Sequence, residues 1–373
     1  MKKILAVSLM ILIAAGSVFA GGSSDSSRTL IGIAMPETHV QRWQKDGNSL
    51  KNEAEKRGYG ALVQWADANQ LVQNSQIESF ILQGAKVLVV GCINAGVAPM
   101  IANAARENVH VIAYDRIIPN SADYEYYITF NNFKVGELQG QSIVEGLNLN
   151  AATAAAPKQI TLFAGSPTDG NAFFFFDGAM SILNPYIERG VLQVVGPYPR
   201  TSADRANFQR IATENWQAPV AKTRMENLLS GDARNVTLDA VLAPNDTLAR
   251  AIIEALRADA RYRDKLPVIS GQDAEFDSMM SIKNSEQYST VFKDTAKLAE
   301  AAIILADALI KGQTPRIPNS VIAESIGLGQ IGDTGRKRVV TYLLDPVLVT
   351  KNTNFNAPLN AGFFTAEETA RLR

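Results

Sequence analysis

The chain has 373 residues, 46% of them hydrophobic and 20% charged, which is ample for two domains with real cores. Its 36 Lys and Arg against 37 Asp and Glu give a net charge of -1, which excludes the basic excess that a nucleic-acid or acidic-membrane partner requires. A single cysteine, Cys92, excludes an internal disulfide, and the two histidines, His39 and His110, stand outside any ligand-spaced cluster, so neither a metal or redox cofactor nor Ser-His chemistry is expected.

At the N-terminus, Lys2-Lys3 precede the apolar run Ile4 to Ala15, and small residues stand at Val18 and Ala20. This pattern predicts a secretory signal peptide over 1–20, cleaved after Ala20, with export to the periplasm; the run is short for a membrane span. The Gly-Ser-rich stretch 21–27 then forms a flexible N-terminus. From Thr29 onward, short apolar runs alternate with helical spacing. Strands are expected at Leu30 to Met35, Ala61 to Ala66, Val87 to Ile93, Val109 to Tyr114 and Tyr126 to Phe130, with helices at Arg42 to Arg57, Leu71 to Leu82 and up to Ala105. The alternation restarts at Ile160 to Ala164, with strands at Leu192 to Gly196, Ala240 to Ala243, Val268 to Ser270 and Tyr288 to Phe292. The intervening helices are expected at Ala172 to Leu183, Gln217 to Leu229, Leu248 to Leu256 and Phe276 to Ile282, and a long Ala-rich helix comes next at Ala296 to Ile310. Val339 to Leu344 and Val347 to Val349 read as strands or extended crossovers. Wholly apolar strands separated by helices predict an α/β fold with parallel sheets covered on both faces, in two units.

Ligands of open parallel sheets sit at the carboxyl ends of the strands. There the sequence places Asp115-Arg116, Asp169-Gly170-Asn171, Asn245-Asp246, Gln272-Asp273 and Lys293, while the first strand leads to Arg42-Trp43. Singly, Asn245 or Asp246 reads as a helix cap, Arg116 as a surface ion pair, and Trp43 or Trp216 as core. Together they make a set of forked donors and acceptors. A carboxylate accepts from two hydroxyls, a guanidinium donates to two, and an indole face covers the C–H face of a pyranose. That combination suits a sugar. The run Phe173-Phe174-Phe175-Phe176 cannot lie on one core-facing stripe of a helix, so Phe173 or Phe174 is expected on the cleft wall or at a lobe contact, while Phe176, Met180 and Leu183 enter the core.

Seven stretches carry a family resemblance: RWQKDG (42–47), QIES (76–79), VIAYDR (111–116), GSPTDGNAFFFFDGAM (165–180), RMENLL (224–229), SGQDAE (270–275) and QYSTVFKDT (287–295). In order and spacing the chain resembles the periplasmic monosaccharide-binding proteins of ABC transporters, above all the ChvE-type multiple-sugar-binding and the xylose-binding proteins. The resemblance implies a type I periplasmic binding protein: two Rossmann-like lobes joined by a three-segment hinge, with sugar held between them. The N-terminal lobe would comprise 28–130 plus 294–335 and the C-terminal lobe 131–293 plus 336–373. It implies a ligand set of Arg42, Trp43, Asp115, Arg116, Asn171, Trp216, Asn245, Asp273 and Lys293, no cofactor, a monosaccharide as ligand, and an ABC permease and a chemoreceptor as partners of the closed form. Gly170 stands where the xylose type has Asn, and Asn245-Asp246 stands where the ChvE type has Tyr-Asp.

Three rival readings are weaker. A glycosidase would use Asp115 and Asp273 as acid and base, but no further substrate subsites are visible. The match to G-x-G-x-x-G at Gly327 to Gly332 precedes turn-like and strand-like sequence, not a helix, and lies far from the first βα unit. A sugar-responsive repressor would carry a DNA-reading domain where this chain carries an export signal. A non-sugar small molecule remains compatible with the fold.

Overall fold

A computed structural model describes residues 28–373; the expected signal peptide and the 21–27 segment lie outside them. In chain order, the first unit is β1 (Leu30–Met35), α1 (Arg42–Lys56), β2 (Gly60–Trp65), α2 (Gln70–Leu82), β3 (Val87–Val90), α3 (Ala98–Arg106), β4 (His110–Tyr114) and β5 (Tyr126–Phe130). The second is α4 (Asn132–Gly146), β6 (Lys158–Leu162), α5 (Gly170–Glu188), β7 (Leu192–Val194), α6 (Arg205–Ile211), α7 (Ala218–Ser230), β8 (Ala240–Leu242), α8 (Asp246–Ala258), β9 (Val268–Ile269), α9 (Phe276–Lys283) and β10 (Ser289–Phe292). The chain then supplies α10 (Thr295–Ile310), β11 (Val321–Ile322), β12 (Val340–Leu344), β13 (Val347–Thr350), α11 (Ala357–Asn360) and α12 (Ala366–Leu372).

The first lobe is built on a sheet in the order β11-β12-β5-β4-β3-β1-β2, parallel except for the β11 edge. β3 shows why its strands read apolar throughout. Val87 and Val89 enter one core with Leu50 of α1 and Leu298 of α10, whereas Leu88 and Val90 enter another with Ile77 and Phe80 of α2 and Ile101 of α3. Successive side chains alternate faces, and both faces are covered. Each such fully buried Val or Leu contributes about 1.5–3 kcal/mol.

The second lobe has the parallel order β7-β6-β8-β9. β10 extends it, donating Tyr288 N–H to the Ile269 carbonyl and Val291 N–H to the Gly271 carbonyl, and pairs antiparallel with β13. Helix α4 was not expected from the sequence. Gly136, Gly140 and Gly146 weaken its intrinsic propensity, yet the first two let it lie against α5 and the third makes room for Val268 and Tyr288. A Cβ at Gly136 would come within 1.9 Å of the Phe175 carbonyl oxygen, and one at Gly178 within 2.1 Å of the Phe133 carbonyl oxygen.

One expectation changes. β12 pairs in parallel with β5 over Val340 to Leu344, inside the first lobe's sheet, so the third crossover falls at Asp345-Pro346 and the expected boundary at 336 moves there. The Gly327 to Gly332 stretch is irregular, as its sequence reads: Gly327 caps the 3-10 turn Ala323–Ile326, Gly329–Gly332 forms a second such turn, and no α-helix opens there. The four phenylalanines diverge as helical geometry requires. Phe173 and Phe176 both pack on Phe208, with ring centroids 4.9 and 5.5 Å away, and Phe174 packs against the first lobe's cluster containing Ala113 and Tyr127. Phe175 alone faces the inter-lobe cavity.

Candidate functional site

The strand ends of both sheets converge on a tightly closed cavity between the lobes, with room of about 30 Å³, far less than a ligand pocket holds. All nine of the expected residues line it: Arg42, Trp43, Asp115, Arg116, Asn171, Trp216, Asn245, Asp273 and Lys293. Phe173 and Phe174 do not. Phe174 makes the lobe contact, while Phe173 lies under the Arg205 guanidinium at 3.9 Å; Phe175 is the wall instead. Val40, Asp169 and Gln272 complete the lining. Of these, Asp169 and Gln272 stand at strand ends and were legible there as polar exits.

Local chain geometry fixes each group. Arg42 and Trp43 open α1. Beyond β4, Asp115 takes φ 60, a left-handed conformation that costs a non-glycine residue about 1 kcal/mol or more. The surroundings hold it: its carbonyl accepts from Tyr127 Oη at 2.7 Å, Thr129 Oγ1 at 3.0 Å and, from the other lobe, Asn171 Nδ2 at 2.7 Å. Asp273 sits at φ 96 after β9, and Trp216 at φ 54 after the strained Asn215. Asp169 caps α5 through the Asn171 N–H, and Asn245 caps α8 through the Leu248 N–H. The capping reading of Asn245 and its place in the cavity are therefore both true, one oxygen serving the helix. Gly165 admits Trp216: a Cβ there would lie 2.0 Å from the indole Cη2.

The charges form two linked clusters. Arg42 Nη1 donates to Asp115 Oδ1 at 2.9 Å and lies 4.0 Å from Asp273 Oδ1, which Lys293 Nζ approaches at 2.9 Å. Arg116 Nη2 donates to Glu37 at 2.7 Å, and its Nε reaches Asp169 Oδ2 of the other lobe at 2.9 Å; Asp169 also accepts from Trp216 Nε1 at 3.2 Å. Both guanidinium groups lie over Trp43, at 4.8 and 4.9 Å from the ring centroid. Burial alone would push the Asp115 carboxyl up, but Arg42, Lys293 and Arg116 together hold it below the ordinary carboxylate range. Asp169 goes the other way, because its burial outweighs Arg116. Gln272 donates to the Pro244 carbonyl at 2.8 Å, and its buried Oε1 has no partner in the protein. Cys92 is buried beside this wall, its thiol donating to the Ile117 carbonyl at 3.0 Å and its carbonyl accepting from Arg116 Nη1 at 3.4 Å; burial raises the thiol to about 12.

The lining carries three cations (Arg42, Arg116, Lys293) and three carboxylates (Asp115, Asp169, Asp273), and so presents many directional donors and acceptors at no net charge. Such a wall suits a neutral polyhydroxylated molecule better than an ion. The glycosidase reading fares worse: a general acid needs a raised carboxyl, and Asp115 is held low.

The periplasmic binding protein domain model matches residues 31–314. The chain is 37% identical over 371 residues to the multiple sugar-binding periplasmic receptor ChvE of Rhizobium radiobacter, covering 99% of each. It is 34% identical over 339 residues to the D-xylose-binding periplasmic protein of Escherichia coli, covering 91% of this chain and 92% of that one. A solved ABC transporter solute-binding protein from Clostridium phytofermentans with bound β-D-glucose superposes with a TM-score of 0.81 at 33% identity, covering 91% of this chain and all of the other. The neutral, doubly walled cleft and the matched sequence agree: this chain belongs to the periplasmic binding protein family.

Proposed function

We propose that the chain is an exported receptor that captures a monosaccharide, an aldopyranose such as glucose, galactose or xylose, in the inter-lobe cleft and delivers it to an ABC permease and a chemoreceptor. The observation that carries this is the electrically balanced cavity, with Trp43 on one lobe, Trp216 on the other and six charged side chains between. In this reading the two indoles cover the faces of the ring. Arg42, Asp115, Arg116, Asn171, Asn245, Asp273 and Lys293 hold its hydroxyls. Gln272 Oε1, buried without a partner, accepts one more. The relatives named for sugar and xylose binding, and the neighbour with bound glucose, support the same class of ligand.

Ligand contacts to both lobes favour the closed arrangement by differential affinity, and the closed form is what a membrane partner would read. Calorimetric titration of the mature protein against pentoses and hexoses tests the reading. At least one aldose should bind with a Kd of about 10 μM or tighter, roughly 7 kcal/mol, and Asp273→Ala should abolish that binding. No heat with any aldose, or aryl-glycoside turnover lost in Asp115→Asn, would overturn it.

A further inference from the structure

Behind the cavity wall lies a carboxylate that a ligand cannot touch. Asp46 is one helical turn from Arg42 on α1, is 0% exposed and does not line the cavity. Its Oδ2 accepts from Arg42 Nη2 at 2.6 Å and from Nε at 3.2 Å, while its Oδ1 has no close hydrogen-bond partner among the described residues, only the nearby Tyr114 and Thr295 hydroxyls. Two of the three guanidinium nitrogens are thus tied behind the wall. Nη1 alone reaches Asp115 and Asp273 in the cavity.

We propose that Asp46 is the positioning residue that sets the Arg42 guanidinium for ligand, and that capture therefore depends on whether Asp46 is ionised. The inference rests on the sugar-receptor reading. The groups that face Asp46 are Arg42 on its own helix, Tyr114 at the end of β4 and Asp115 beyond it, and Thr295 at the start of α10; Lys45 also feels its charge. The Tyr114 hydroxyl, which meets no other hydrogen-bond partner among the described residues, is directed at the Asp46 carboxyl. Burial raises Asp46 to about 6, against the pull of Arg42.

Geometry sets the sign. Above about 6 Asp46 is ionised and the two-nitrogen anchor is complete. Arg42 does not lose its proton, so the carboxyl is the partner that switches. Once neutral, Asp46 accepts weakly from a guanidinium, and the nearest remaining anions are Asp115 and Asp273. Arg42 then turns onto them and occupies acceptors that ligand hydroxyls need. Ligand favours the ionised form, so affinity is full above about 6 and is lost as the pH falls through that value.

The test measures Kd of the mature protein for its best-bound aldose by calorimetry from about pH 7.5 down to about pH 5. One linked proton predicts a three- to tenfold weakening over that span. Asp46→Asn should bind weakly at both ends with no break between them. Asp169→Asn, which removes the cavity-lining carboxyl that burial raises, should weaken binding but keep the break. A flat wild-type profile, or a break that survives in Asp46→Asn, overturns the proposal. If no aldose binds at any pH, the sugar reading fails separately, and 13C NMR titration of the aspartate carboxyls decides this one: a signal absent from Asp46→Asn should titrate near 6 in the ligand-free wild type, and an Asp46 signal already ionised well below that would overturn it. Should Asp46→Asn fail to fold by circular dichroism, through-bond assignment of the Asp46 carboxyl in the wild type replaces the variant, and its titration is the deciding measurement.

Discussion

At residue scale, small side chains decide where the large ones can go. Trp216 reaches the cleft because Gly165 has no side chain, and an added methyl would lie 2.0 Å from the ring. Gly165→Ala should therefore displace the indole and weaken sugar affinity at least tenfold, a loss of about 1.4 kcal/mol or more in binding, with a change in ligand-free melting temperature of only a few degrees; calorimetric titration and thermal melts check both. The polar lining was readable from sequence because the residues just past each strand end turn toward the ligand side of the sheet. Asp115, Asn245 and Asp273 stood out as polar exits from apolar runs, and the resemblance sharpened that list. The wall formed by Phe175 was not readable. In a run of identical residues, only the angular phase of α5, fixed by the Asp169 cap and by contact with α4, determines which ring turns to the cavity. The cap was legible, but the partner helix was not foreseen.

At element scale, the one long helix that the sequence did not disclose is the one that packs most tightly. α4 carries three glycines and a polar composition, so propensity and periodicity argue against it. Its existence depends on tertiary contact: Gly136 and Gly178 allow α4 and α5 to approach backbone to backbone. Gly136→Ala raises intrinsic helix propensity by about 1 kcal/mol, yet should destabilise the protein by about 1–3 kcal/mol because the new methyl overpacks the crossing. Urea unfolding measures the difference; a stabilised variant would show that the crossing can relax. The strands of both lobes were legible because sheets buried on two faces need uninterrupted apolar runs, as β3 has. β12 was read as either a strand or an extended crossover, since its sheet membership depends on a parallel partner more than two hundred residues earlier in the chain, β5.

At the scale of the molecule, the cleft is held shut by bonds that cross it. Arg116 Nε pairs with Asp169, Asn171 Nδ2 donates to the Asp115 carbonyl, and His39 Nε2 lies 3.0 Å from the Asn215 carbonyl oxygen at the rim. The chain passes between the lobes at Asn131, Lys293 and Asp345, where few dihedrals need to change for the lobes to separate. Removing the Asp169 charge leaves buried Arg116 without its partner across the cleft. Asp169→Ala should shift the ligand-free protein toward the open arrangement and reduce sugar affinity by at least about tenfold. Small-angle X-ray scattering should record a larger radius of gyration for the ligand-free variant than for wild type; equal radii would mean that this pair does not hold the cleft closed.

The solitary thiol carries one more consequence. Cys92 is 3% exposed, and its sulfur is reluctant to ionise. In an oxidising compartment such as the periplasm, for which the relatives are named, the folded chain thus offers no thiol for cross-linking, either within itself or between copies. Folding needs no disulfide, and in such a compartment copies of the folded chain stay unlinked.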